Sequence, residues 1–100
     1  PKAKFPHEFV EFSDVVLAIL AGEFGQHGAQ SSFFHSKPCR NELKWAVDYG
    51  KPIIWLLETN PSHGGVPLEV HIRDAKEYCI GEYAPALHQF KDAIRTNSII

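Results

Sequence analysis

Two residues with reactive side chains, Cys39 and Glu42, lie three positions apart near the middle of the chain. On a helix, this spacing places both side chains on one face. Ser36 just before them is a suitable helix N-cap, and the macrodipole at a helix N-terminus favours an ionised carboxylate. A fixed carboxylate can stabilise developing positive charge, such as the oxocarbenium-like centre that forms when an N-glycosidic bond breaks. Glu42 is therefore a candidate for chemistry of that kind.

Each of these residues also has a structural interpretation. Glu42 can complement the helix dipole or pair with a surface cation, and the spacing alone favours that role. Cys39 has His35 nearby as an activating base, but we favour a small packed thiol. Zinc ligands would have to come from His35 with Cys39, or from His71 with Cys79, and four ligands at metal spacing do not converge in the sequence. We therefore expect no metal site.

Two apolar runs flank this segment and are predicted to be strands. Val15–Leu20 and Ile53–Leu57 are rich in branched aliphatic residues, as strands buried on both faces are. The helix between them is predicted to start at Ser36, to carry Pro38 in its first turn and to stop at Gly50. A strand–helix–strand unit is almost always a right-handed crossover in a parallel sheet, with ligands at the carboxyl ends of the strands. The pattern predicts an α/β fold.

The rest of the chain is predicted to add helices and one more strand. His7–Phe12 has the pattern of the last turns of a helix, and Ala21–His35 is predicted to be a loop whose length is typical of functional or mobile segments. Pro67–Asp74 is predicted to form a short helix and Pro85–Arg95 a final one. A short third parallel strand is expected at Tyr78–Ile80. These elements would make one partial domain with its core at residues 9–95.

The motif S-x-x-C-x-x-E-L at Ser36–Leu43 follows an S-D-V-V-L-x-I-L strand and precedes W-A-x-x-x-G-K-P-I-I. Together these strings resemble the C-terminal half of a TIR (Toll/interleukin receptor/resistance protein) domain, from about Phe9 to Ile94. The resemblance implies a flavodoxin-like parallel sheet of strand order 2-1-3-4-5 with helices on both faces. It also implies a role in signalling, with other TIR-like domains or a second copy of the chain as partner.

In the catalytic members of that family a glutamate cleaves NAD, and Glu42 matches this glutamate. The resemblance thus implies that Glu42 is catalytic and that Ser36, Cys39 and Trp45 bind the substrate. NAD would be a substrate, and no cofactor is expected.

A second family of N-ribosyl-cleaving enzymes, the nucleoside deoxyribosyltransferases, is the alternative. Its D-V-V-x-A strand, catalytic glutamate and A-x-x-x-G-K-P turn are echoed by Asp14–Ala18, Glu42 and Ala46–Pro52. The string Cys39–Leu43 favours the TIR family over it. Release of nicotinamide from NAD, compared with base exchange on a deoxynucleoside, would separate the two enzymes.

The resemblance also suggests that the chain is a fragment. It contains no methionine, and the family's first strand has no counterpart before Phe5. The strand Val15–Leu20, which pairs with that first strand in the family, would be left as an edge. An uncharged apolar edge invites pairing with another chain, so we expect the isolated chain to dimerise or aggregate there.

Composition limits the remaining possibilities. With 100 residues, of which 44% are hydrophobic and 22% charged, the chain is predicted to form one small globular domain. The net charge of -2 and the scattered basic residues argue against a nucleic-acid partner. No apolar run reaches the roughly 18 residues of a membrane span. Two cysteines are too few for a disulfide framework, which favours a cytoplasmic location.

Overall fold

The computed structural model describes residues 5–100. In chain order its elements are α1 (Pro6–Glu11), β1 (Val16–Leu20), β2 (Glu23–Gly25), β3 (Gly28–Gln30), α2 (Ser32–His35), α3 (Lys37–Asp48), β4 (Ile53–Leu57), α4 (Leu68–Tyr78) and α5 (Ala84–Arg95). Short 3₁₀ turns at Pro61–His63 and Gly81–Tyr83 precede α4 and α5. Within residues 5–100, every helix is too short or too polar to cross a membrane.

Strands β1 and β4 pair in parallel, which confirms the predicted α/β arrangement of the first two strands. The register places Val16 beside Ile53 and Leu20 beside Leu57. On the other side of β4, Ile99 forms a single parallel bridge to Trp55. The order across the sheet is therefore β1, β4 and then the chain end, which follows the order along the chain.

The strand predicted at Tyr78–Ile80 is wrong, because α4 continues through Tyr78. Leu68, Ile72, Ala75 and Cys79 recur at three- and four-residue intervals and all contact the main core. That spacing is helical, and burial of one continuous helix face outweighs the weak strand signal at its end. The predicted short helix is correspondingly longer than expected.

The predicted loop between β1 and α3 instead contains an antiparallel hairpin and a short helix. Strands β2 and β3 pair Glu23 with Gln30 and Gly25 with Gly28. Gly28 has φ +101°, a conformation that only glycine adopts without strain. The Ser31 side chain then caps α2 by accepting a hydrogen bond from the Phe34 amide at 3.2 Å. The segment is thus ordered by local turn and capping chemistry.

Helix α3 begins and ends where the sequence predicts. The Ser36 hydroxyl accepts a hydrogen bond from the Cys39 amide at 3.3 Å, as an N-cap does. Gly50 has φ +65° just beyond the last turn. Leu43 and Ala46 are fully buried, so this face of the helix meets the core.

The core lies on one face of the sheet only. Helices α3, α4 and α5 meet that face through one cluster that includes Ala18, Leu20, Leu43, Trp55, Ala75 and Phe90. On the other face Leu17 is 53% exposed and Ile19 is 54% exposed, because alternate strand residues point to opposite sides. The expectation of helices on both faces is therefore wrong for residues 5–100.

Candidate functional site

A cavity with a volume of about 460 Å³ lies between α1, the first half of β1 and one side of α3. Its size suits a small-molecule ligand. The lining is mostly apolar and aromatic, with three polar side chains. The lining residues are Pro6, Phe9, Val10, Ser13, Val15, Val16, Leu17, Pro38, Asn41, Glu42 and Trp45.

Glu42 contributes the carboxylate of this cavity. It is the sixth residue of α3, and the first turn of that helix contains no acidic residue. The dipole effect falls off within the first turn of a helix, so the sequence-based argument that the dipole favours ionised Glu42 does not hold at this position. What Glu42 does gain from the fold is a place beside aromatic rings, where a carboxylate and ring faces together suit a cationic ligand.

The other candidate site residues divide into two groups. Trp45 lines the cavity beside Glu42, and its ring meets that of His7 edge-on at 6.0 Å. Ser36 is occupied as the N-cap of α3, and Cys39 packs against the main core. Neither Ser36 nor Cys39 is among the lining residues. The fold therefore brings Trp45 together with Glu42 and leaves the other two outside the cavity.

Two polar side chains of the lining are already engaged by the protein. Asn41 accepts a hydrogen bond from the Tyr83 hydroxyl at 2.6 Å, which fixes the orientation of its amide. Ser13 donates its hydroxyl hydrogen to the Phe9 carbonyl. The free hydrogen-bonding capacity of the lining thus resides mainly in the Glu42 carboxylate and the Asn41 amide nitrogen. Such a set can hold a hydroxyl group or stabilise positive charge.

A separate cluster of buried polar side chains joins the hairpin base to α4, and the sequence analysis missed it. Ser31 and His71 are 0% exposed, and Asp74 is 1% exposed. The Ser31 hydroxyl lies 2.6 Å from Nδ1 of His71, and the Ser31 amide donates to the Asp74 carboxylate at 2.7 Å. His35 Nε2 lies 3.0 Å from the same carboxylate.

Burial and hydrogen bonding shift the pKa values in this cluster. Burial raises the pKa of Asp74, but hydrogen bonds from the Arg73 guanidinium and the Ser31 amide outweigh it and bring that pKa below its ordinary value. Burial lowers the pKa of His71 to about 4, against a smaller opposing effect of the Asp74 charge. At neutral pH the cluster therefore contains an ionised Asp74 and a neutral His71.

A serine beside a histidine suggests nucleophilic catalysis, but the geometry favours a structural role. The Ser31 hydroxyl is fully buried and already caps α2, so a substrate cannot reach it. Ser31 and His71 are 40 residues apart in sequence and belong to no recognisable motif. The sequence does contain one signal for this site, because Ser31 can cap a helix that carries the apolar residues Phe33 and Phe34. The prediction of a loop over this segment left that helix out.

The contacts of the two histidines are not the cysteine pairs considered from the sequence, His35 with Cys39 and His71 with Cys79. His35 contacts Asp74, and its ring packs on Tyr78 with centroids 4.3 Å apart. His71 contacts Ser31 instead of Cys79. Burial raises the pKa of the Cys79 thiol to about 11, so this cysteine stays protonated at neutral pH. Within residues 5–100, no three His, Cys, Asp or Glu side chains lie together as a metal site would require.

Comparison of the chain with protein-family models, with curated proteins and with solved structures finds no match.

Proposed function

We propose that the chain is a TIR-like association module that pairs with a second copy of itself through the free edge of β1. The observation that carries this proposal is that, among residues 5–100, no strand pairs with one edge of β1, and an exposed apolar sheet face lies beside that edge. The resemblance around Ser36–Leu43 supports it independently.

Within residues 5–100, β1 pairs with another strand on one side only; on its other side the Ile19 carbonyl accepts a hydrogen bond from the Ala21 amide at 3.1 Å. The Val16 amide donates to the Pro52 carbonyl at 2.9 Å, and the Leu20 carbonyl accepts from the Glu58 amide at 3.1 Å. Since successive strand residues alternate in direction, the amides of Leu17 and Ile19 point away from β4. An edge of this kind can accept another strand.

The side chains of the same strand add an apolar contact. Leu17, Ile19 and Ile54 are 53%, 54% and 38% exposed and lie next to one another on the open face of the sheet. Phe9 and Phe12 of the neighbouring segment are also exposed, at 63% and 54%. Phe9 and Leu17 line the same cavity and are therefore close to each other, and exposed apolar side chains grouped in this way are typical of an interaction surface.

The sequence of β1 suits pairing with an identical strand. Antiparallel pairing about a two-fold axis at Ala18 places Leu17 opposite Ile19 of the second copy, and the two open faces then continue into each other. The five residues of β1 carry no charge, and Asp14 would lie opposite Gly22 rather than another acidic residue. No like charges therefore oppose this register, which supports a second copy as the occupant.

Replacing Ile19 by Lys is expected to shift the chain from dimer to monomer, because a charge on an edge strand blocks strand addition. Ile80→Lys is the matched control, since Ile80 is 64% exposed in the connection between α4 and α5. Size-exclusion chromatography with light scattering across a dilution series measures the effect. The concentration at which the dimer dissociates should be similar for the wild type and Ile80→Lys. For Ile19→Lys it should be at least tenfold higher.

Amide exchange distinguishes edge pairing from non-specific aggregation. In the dimer, the Leu17 and Ile19 amides should become protected as concentration rises, whereas the Val16 amide is protected at every concentration because it donates to the Pro52 carbonyl. A wild type that stays monomeric at high concentration, or equal association of Ile19→Lys and wild type, would refute the proposal.

The second candidate function is cleavage of an N-ribosyl bond at Glu42. It is favoured by the position of Glu42 and Trp45 in one cavity of about 460 Å³. One carboxylate suffices for this chemistry when the leaving group is neutral, as nicotinamide is, because no proton has to be supplied to it. The carboxylate would stabilise the ribosyl cation, and the Trp45 indole would pack on the planar base.

Glu42→Gln should abolish nicotinamide release from NAD while the fold is retained, because the Glu42 side chain is exposed and lies off the buried Leu43 and Ala46 face. Glu69→Gln on the exposed surface of α4 is the matched control and should leave any activity unchanged. Chromatography of the products measures release, and circular dichroism checks the fold. Base exchange on a deoxynucleoside instead of nicotinamide release would point to the transferase alternative. Failure of the wild type in both assays would eliminate the enzyme candidate for this chain.

A further inference from the structure

The buried cluster around Ser31 attaches the β3 end of the β2–β3 hairpin to α4, while at the β2 end the Gly22 amide donates to the Gly64 carbonyl at 2.7 Å. Besides the two contacts of Ser31 to α4, Arg73 donates to the Ala29 carbonyl at 2.7 Å. The hairpin itself buries little, since all three residues of β2 are exposed and those of β3 are exposed or half-buried. A segment with few apolar contacts opens at low cost once its polar attachments weaken.

The attachment depends on a neutral His71. The Ser31 oxygen accepts a hydrogen bond from the Phe34 amide, and His71 is the acceptor within residues 5–100 toward which its hydroxyl hydrogen can point. We therefore assign Nδ1 as the unprotonated nitrogen and Nε2 as the one that carries hydrogen. That Nε2 atom is buried and has no hydrogen-bond partner among the described residues.

Protonation of His71 disrupts this arrangement in two ways. A hydrogen on Nδ1 would meet the hydroxyl hydrogen of Ser31, so the hydroxyl must turn away and lose its acceptor. The positive charge would also be buried, with one N–H still lacking an acceptor. The first effect acts at Ser31, which joins β3 to α2, and the second acts at His71 on α4.

The charges around His71 only partly offset this cost. On α4 itself, Asp74 attracts the imidazolium, but its carboxylate already binds Arg73, the Ser31 amide and His35 of α2. The charged or titratable side chains of the hairpin, Glu23 and His27, are exposed. Arg40 of α3 packs over the Tyr78 ring at the far end of α4 and adds a further positive charge.

We propose that the Ser31–His71 contact is a pH-sensitive latch: uptake of a proton by His71 releases the β2–β3 hairpin from α4 while the core stays folded. The core persists because its aromatic contacts do not involve the hairpin. Phe34, Phe90 and Trp55 pack on one another with centroids 5.0 Å apart for each neighbouring pair. This inference does not depend on either proposed function.

The direction of the pH effect follows from the two states. In the closed state the pKa of His71 is about 4, whereas in the open state the imidazole returns to an ordinary value near 6.5. The open state therefore binds more protons between these values, and the latch weakens as pH falls from about 6.5 toward 4. The closed state is fully favoured above that window. Full passage through it changes the opening equilibrium by roughly 300-fold.

Hydrogen exchange of single amides tests the latch. Between about pH 7.5 and pH 4.5, after correction for the intrinsic exchange rate, protection of the Ser31 amide is expected to fall about 70-fold. Protection of the Ala18 and Leu56 amides, which face each other's strand between β1 and β4, should change far less. If all three amides lose protection together, acid unfolds the whole domain and the latch proposal fails.

Two His→Asn substitutions distinguish protonation of His71 from other effects of low pH on the protein. Asn at position 71 keeps an acceptor near the position of Nδ1 and does not titrate, so His71→Asn should remove the acid-induced loss at Ser31. His88→Asn changes an exposed histidine on α5 and should retain that loss. If His71→Asn fails to fold, the imidazole resonances of wild-type His71 should titrate together with the Ser31 amide. An unchanged pH response in His71→Asn, or titration of the two signals at different pH, would overturn the latch.

Discussion

Phe90→Ala is expected to lower the free energy of unfolding by about 3–5 kcal/mol. Phe90 is 1% exposed and lies between Phe34 and Trp55, with ring centroids 5.0 Å from each. Truncation removes both aromatic contacts and leaves a cavity that helix α5 and strand β4 cannot close without moving toward each other. A loss of this size is a large part of the stability of an ordinary small domain.

Urea denaturation followed by tryptophan fluorescence measures this effect, because Trp55 lies beside the substituted ring. Phe24→Ala provides the matched control. Phe24 is 64% exposed on the hairpin, so its truncation should change the free energy of unfolding by no more than about 0.5 kcal/mol. Equal losses for the two variants would show that the Phe34–Phe90–Trp55 contact is not the centre of the core.

Asp74→Ala is expected to cost about 2–4 kcal/mol, because the substitution leaves buried hydrogen-bond donors without an acceptor. The carboxylate accepts from the Ser31 amide, the Arg73 guanidinium and His35. The Ser31 amide is the critical donor, since it is buried at the hairpin base and water cannot replace the lost partner.

Asp92→Ala is the control for loss of an exposed aspartate. Asp92 is 58% exposed and pairs with Arg95 on the surface of α5, so its removal should change the free energy of unfolding by less than about 1 kcal/mol. Chemical denaturation at neutral pH compares the two variants. A small effect of Asp74→Ala would mean that water enters the hairpin base and satisfies the Ser31 amide, and the cluster would then not be a rigid attachment.

The hairpin that Ser31 and His71 attach to α4 follows β1 directly in the chain. If the hairpin opens in acid while the sheet stays intact, the β1 edge and its apolar face remain available for pairing. Association measured at neutral and at mildly acidic pH can therefore be compared without loss of the core. Association through β1 and release of the hairpin can therefore be measured as two separate effects of pH.

Several features of the fold follow from the sequence because their signals are local. Ser36 and Gly50 bracket α3 through a side-chain cap and a left-handed backbone, and both act within a few residues of the helix end. The parallel pairing of β1 with β4 follows from a strand–helix–strand unit whose connection permits essentially one hand. The presence of Glu42 and Trp45 on one side of α3 follows from their three-residue spacing.

Other features depended on contacts between distant residues. Helix α4 extends through Tyr78 because Ala75 and Cys79 pack into a core built from five other elements, which no local pattern reveals. The loop predicted at this position contains a hairpin instead, and the spacing of the glycines in the sequence does not predict its turn.

The Glu42 cavity and the Ser31–His71 cluster also differ in how much of each the sequence predicts. Sequence could nominate Glu42, but only packing of α1 against α3 makes a cavity beside it and leaves Ser36 and Cys39 outside. Ser31 and His71 meet across 40 intervening residues, and their pairing arises when α2 packs on α4. Helix caps and strand crossovers depend on local geometry, which a sequence displays directly. Cavities and buried polar clusters depend on which surfaces exclude water together, and that is decided only when the whole chain packs.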